Sequence, residues 1–91
     1  MSAEVAEAIR QTRRTLTERT WVPRHPRLGS DECCIATAHP YSGRAGAWDA
    51  FYSVIDSHHL IAWNDRQTDV GAVLGMTLQV LIAELCKGGA A

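Results

Sequence analysis

Asp69-Val70-Gly71-Ala72-Val73-Leu74-Gly75-Met76-Thr77-Leu78-Gln79-Val80-Leu81-Ile82-Ala83-Glu84-Leu85 is the stretch on which the fold turns. Val70, Val73, Leu74, Thr77, Leu78, Leu81, Ile82 and Leu85 recur every three or four residues, the period that gathers a wide apolar stripe on one side of an α-helix. Such a stripe demands cover, so this helix is expected to be the wall against which the other segments pack. Just upstream stands Ala62-Trp63-Asn64-Asp65. Thr68 is the expected N-cap, with Asp69 well placed against the helix dipole; Asn64, with Gln67 three residues on, is the rival cap. Trp63 is expected to fold back under the helix start.

Moving outward from there, the spacing predicts an all-α fold: a compact bundle of three longer helices, at about 3–18, 46–57 and 68–86, and one short helix at about 31–38. In the first, Val5, Ile9, Thr12 and Leu16 share the buried side and Glu4, Glu7, Arg10, Arg14 and Glu18 the wet one. Pro23, Pro26 and Gly29 then break helical continuity and predict an extended surface connection. Asp31 and Glu32 suit the first turn of the short helix, and Pro40 ends it; Cys33–Ala38 and Leu60–Trp63 are the only strand candidates, both short and without an obvious partner. Trp48, Phe51, Tyr52 and Ile55 mark the third amphipathic segment. The expected core is Trp21, Ile35, Trp48, Phe51, Ile55, Trp63, Leu74, Leu78 and Leu81. Gly71 and Gly75, four apart on the last helix, imply close approach by another helix; one from the same chain ranks ahead of one from a second copy.

Composition places the chain among ordered globular proteins, with 46% apolar and 21% charged residues in 91. That length supports one modest core, so the expectation is a single helical domain over 1–87 with a frayed tail at 88–91. Charge is unevenly distributed: residues 1–29 hold six Arg against three Glu, whereas 30–91 hold three basic side chains against seven acidic. Three cysteines, two of them adjacent, and an N-terminus without the apolar segment of a secretion signal favour a reducing cytoplasm. The charge-free run 70–83 is short of the ~20 residues a membrane span needs, so no membrane partner is expected.

Chemistry has few candidates. Cys33 or Cys34 with His39, His58 or His59 supplies the parts of a Cys-His nucleophile, but no diagnostic spacing, and a cysteine in an apolar run is first of all a small buried hydrophobe. Neither a Cys-x-x-Cys nor a His-x-x-x-His pair is present, so no metal or other cofactor is expected. Arg10, Arg13 and Arg14 lie near one another on the first helix, and Trp21, Arg24, His25, Tyr41 and Arg44 stand in or beside the loops. Exposed Arg, Trp and Tyr are residue types that anchor protein contacts, and these eight form the candidate partner surface. Trp63, Asn64, Asp65 and Thr68 are assigned a structural role.

The order of Cys34-Ile35-Ala36-Thr37-Ala38, then Trp63-Asn64-Asp65 with Thr68 and Val70, resembles a small uncharacterised family of actinobacteria and their bacteriophages, over about residues 3–86. Members of that family have a Gly-rich turn near the first Trp, where this chain has Val22-Pro23-Arg24-His25-Pro26. The resemblance implies a helical fold and a bacterial or phage origin, and carries no activity. The expected function is that of a non-enzymatic accessory protein that binds a host protein, or a copy of itself as a homodimer. A nucleic-acid binder using the Arg-rich helix and a Cys-His enzyme are the alternatives.

Overall fold

The computed structural model describes residues 2–38, 44–57 and 59–89. Among the described residues, four helices and one strand pair follow in the order α1 (Ser2–Glu18), β1 (Thr20–Trp21), β2 (Glu32–Cys33), α2 (Arg44–Tyr52), α3 (Leu60–Asp65) and α4 (Val70–Gly89). The chain is thus mostly helical, as its periodicity predicts, with a small parallel sheet that the periodicity does not. α1 and α4 make the broadest contact, and α2 packs on both.

The core follows from the helical period. α1 turns Ile9, Thr12 and Leu16 inward, α2 contributes Ala47, Ala50 and Phe51, and α4 contributes Val73, Met76, Thr77, Val80 and Leu81. Ile35, Phe51, Ile55 and Leu81 are buried as expected, and Trp21, Trp48, Trp63 and Leu74 pack against the core half-covered. Leu78 is the correction: it is 43% exposed. The stripe read from the sequence is broader than the side α1 and α2 cover, and the buried arc is centred on Thr77, so Met76 and Val80 fill the core while Leu78 faces water.

At 31–38 the expected short helix is absent; the segment is strand β2 followed by a turn. Its backbone groups find partners elsewhere in the chain. β2 runs parallel to β1 with Thr20 opposite Glu32 and Trp21 opposite Cys33, the Thr20 amide donates to Asp31 O at 3.0 Å, and the Val22 amide to Cys33 O at 2.9 Å. Thr37 then closes the turn, its Oγ1 accepting from the Cys34 amide at 2.9 Å, a local bond that competes with helix. The connection 22–31 returns through Gly29, whose φ of 76° is a left-handed conformation that other residues adopt only at a cost.

The helix expected at 46–57 runs instead from Arg44 to Tyr52. Ser53 Oγ donates back to Ala50 O at 2.6 Å as the chain leaves the helix, and the Tyr52 hydroxyl accepts from the Leu60 amide at 3.1 Å, tying α2 to the next element. That element, α3, is a separate short helix capped by His59, whose Nδ1 accepts from the Ala62 amide at 3.3 Å. α4 begins at Val70, not Thr68. Its N-cap is Asp69, whose Oδ1 accepts from the Ala72 amide at 3.1 Å; Thr68 is exposed outside the helix. Aspartate suits that position on two counts, as acceptor and as negative charge beside the positive helix end. α4 remains helical through Gly89, and its segment Val70–Lys87, with mean hydropathy 1.5, is long and apolar enough to cross a membrane by length and composition.

Candidate functional site

The residues singled out from the sequence divide into those bonded within the fold and those left open at its surface. Asn64, the rival cap, is fully buried at the end of α3. Its Oδ1 accepts from Trp21 Nε1 at 2.7 Å and from the Ile35 amide at 3.0 Å, while its Nδ2 donates to Val22 O at 3.1 Å and to Asp65 Oδ1 at 3.0 Å. One amide therefore joins α3 to β1 and to the turn after β2. Trp63 packs half-covered on the core, and its carbonyl accepts from Gln67 Nε2 at 2.8 Å. The Trp-Asn-Asp triplet is a structural knot, and Trp21 is part of it.

Arg24 is also occupied. Its guanidinium forks onto Glu32, Nη1 to Oε1 at 2.9 Å and Nη2 to Oε2 at 2.5 Å, and Glu32 Oε1 also accepts the Arg27 amide at 2.8 Å. These bonds hold the Glu32 carboxyl below its ordinary value, chiefly through Arg24, and raise Arg24 in turn. Arg19 likewise reaches back, its Nη2 donating to Ser30 O at 2.9 Å, with Asp31 Oδ1 3.8 Å from its Nε. Arg44 lies over the Trp48 ring, its Cζ 4.7 Å from the centroid. His25 lines a loop cavity of about 220 Å³ with Arg27, Leu28 and Thr37. Tyr41, His39 and His58 lie outside the described residues.

Arg10, Arg13 and Arg14 are the part of the candidate surface that the fold gathers. Spacings of three and four on α1 put them on one flank, where with Thr17, Glu18 and Leu81 they line a shallow groove of about 310 Å³ between α1 and α4. Arg13 is the anchored member, its Nε donating to Thr77 Oγ1 at 3.2 Å, and the Thr77 hydroxyl in turn donates to Leu74 O at 2.8 Å. Arg10 leans toward Glu7 at 3.6 Å with both side chains about half exposed, and Arg14 is exposed. A pair so open to water contributes little, so Arg10 is readily drawn to a better acceptor. Planar guanidiniums beside an apolar Leu81 suit carboxylates carried on a partly apolar surface.

The thiols stand differently. Cys33 and Cys34 are buried and Cys86 is exposed, and burial pushes the Cys33 thiol up, the opposite of what an activated nucleophile requires. Among the described residues, no three His, Cys, Asp or Glu side chains are grouped to hold a metal ion. Comparison with family models, characterised proteins and solved structures finds no match to this chain.

The α4 side chains that face water were the least visible from sequence. Leu78, Ile82 and Leu85 are 43%, 53% and 45% exposed. The signal is the width of the apolar stripe, which exceeds what α1 and α2 together cover.

Proposed function

We propose that this chain is a small non-enzymatic protein-binding module whose Arg10, Arg13 and Arg14 groove takes acidic side chains of a partner protein. The observation that carries the reading is the division of the arginines: Arg19 and Arg24 are engaged by Asp31 and Glu32, whereas Arg10, Arg13 and Arg14 converge on an open groove floored in part by Leu81. Carboxylates match the guanidinium fork, and desolvation against Leu81 strengthens the pairing beyond that of a fully wet ion pair. On the resemblance to the actinobacterial and phage family, the partner is a cytoplasmic protein of the bacterial host.

Affinity capture from host lysate, with and without nuclease treatment, tests this, comparing wild type with the triple reversal Arg10→Glu, Arg13→Glu, Arg14→Glu. Proteins held by wild type and lost from the reversal variant are expected, with the two proteins equally helical by circular dichroism. Identical captured sets would remove the groove from the account. Capture that vanishes on nuclease treatment would assign the same arginines to phosphates, with binding to arbitrary duplex that falls steeply with salt.

A further inference from the structure

Down one side of α4, at steps of four, three, four and three residues, stand Gly71, Gly75, Leu78, Ile82 and Leu85. All are exposed, and only 28% of Val70–Lys87 is buried inside the chain. The alternation of three and four is the seam spacing of helices that pair lengthwise. Gly75 is the telling residue. Among the described residues, a side-chain carbon there meets no side chain and no other element within 4 Å, so none of these neighbours requires glycine, although glycine weakens a helix relative to alanine. Among the described residues, the close approach expected from another element of the same chain is absent at Gly75, and an approach by a second copy accounts for the glycine.

We propose that this stripe pairs with the same stripe of a second copy, the two α4 helices antiparallel about a two-fold axis at Leu78. A two-fold interface must fit a surface to itself. Reversed about Leu78, the stripe does so: Gly71, flanked by the Asp69 carboxylate, falls opposite Leu85, Gly75 comes within one residue of Ile82 so that its open space receives a large side chain, and Leu78 meets its counterpart. A parallel pair would set glycine against glycine and leave voids beside the crowded leucines.

Charge fits the same arrangement. Between Val70 and Cys86 the sequence carries one charge, Glu84, which lies on the other side of the helix with its side chain 11% exposed and Lys87 at 3.5 Å. Like charges therefore do not meet across the axis, whereas the arginine flank of α1 would repel itself. Antiparallel helices also set the positive end of each dipole beside the negative end of the other. A helix of this length is about 30 Å long. Two such faces bury on the order of 1,000 Å², the lower bound for a specific interface, so the dimer is weak. A dissociation constant on the order of 10 μM is expected.

Sedimentation equilibrium on the whole chain from about 1 μM to about 1 mM spans that value. Wild type is expected to rise from 10.0 kDa toward twice that mass. Ile82→Glu places a charge over the Gly75 hollow and is expected to weaken association at least about thirtyfold, without loss of helix, because Ile82 is 53% exposed. Gly75→Leu fills the hollow and is expected to weaken it about tenfold or more. Wild type that stays at 10.0 kDa throughout would overturn the proposal. So would a Gly75→Leu protein that associates as well as wild type, or a monomer that binds neutral phosphatidylcholine vesicles through Ile82. Orientation has its own readout in the exposed Cys86, which the antiparallel pair holds about 24 Å from its counterpart. Rapid disulfide dimerisation through Cys86 under mild oxidant would exclude that arrangement.

Discussion

Asn64 offers two donors and two acceptor positions, and the fold uses both ends of the amide. With no exposed surface, it receives Trp21 Nε1 and the Ile35 amide and gives to Val22 O and Asp65 Oδ1. Replacing it with leucine keeps the branched shape and leaves the Ile35 amide, Val22 O and the half-covered Trp21 Nε1 without their partner, each costing roughly 1–3 kcal/mol when buried and unpaired. Asn64→Leu is therefore expected to lower unfolding free energy by about 3 kcal/mol or more, a large share of the ~5–15 kcal/mol a small domain has. Urea unfolding followed by tryptophan fluorescence measures it, and a loss under about 1 kcal/mol would mean that the network carries no such weight. The sequence shows Asn64 as a polar residue next to Trp63 with capping chemistry in reach, and that local reading is sound as far as it goes. What decides its role is Trp21 and Ile35, distant in sequence, and no local pattern contains them.

At the level of elements, α1 and α4 were legible because a long amphipathic period survives any choice of neighbours, and both appear close to where the spacing puts them. The segment 31–38 was not, because its strand exists only through β1, and α3 was not, because its cap is a histidine. The arginine groove was half legible: helical spacing brings Arg10, Arg13 and Arg14 together, but Thr77 and Leu81, which anchor and floor it, come from the far end of the chain. Two helix glycines show how context reverses a local rule. A Cβ at Gly46 would stand 2.5 Å from Val5 Cγ2, the point where α2 closes on α1, whereas one at Gly75 meets open space. Helix propensity favours alanine at both by about 1 kcal/mol. Gly46→Ala is nevertheless expected to destabilise by roughly 1–2 kcal/mol, since overpacking outweighs propensity. Gly75→Ala, measured at low protein concentration where the monomer dominates, is expected to stabilise by up to about 1 kcal/mol. Thermal melts of the two variants side by side would show it, and the same sign for both would refute the packing assignment.

For the whole molecule, the radius of gyration of 12.6 Å is close to the ~12 Å of a compact chain of this length, so the described segments share one core. Folding also rearranges the charge that the sequence merely lists. The basic first third is drawn onto the acidic remainder through Arg19 with Asp31 and Arg24 with Glu32, which leaves the surplus on the Arg10, Arg13 and Arg14 flank. The molecule then carries two exposed surfaces of opposite character, a cationic groove on α1 and an uncharged apolar stripe on α4. They answer differently to salt. Screening at about 0.1 M ionic strength acts over ~10 Å and weakens contacts between exposed charges, whereas salting-out conditions strengthen apolar burial. Raising sodium sulfate from about 0.02 to 0.2 M is therefore expected to release an acidic partner from the groove while leaving α4 self-association unchanged or tighter. Capture and sedimentation on one preparation read both. If the two fall together, the surfaces are one and the apolar stripe is not what joins the copies; if they part, the groove and the stripe act independently, and each dimer presents two grooves to its partner.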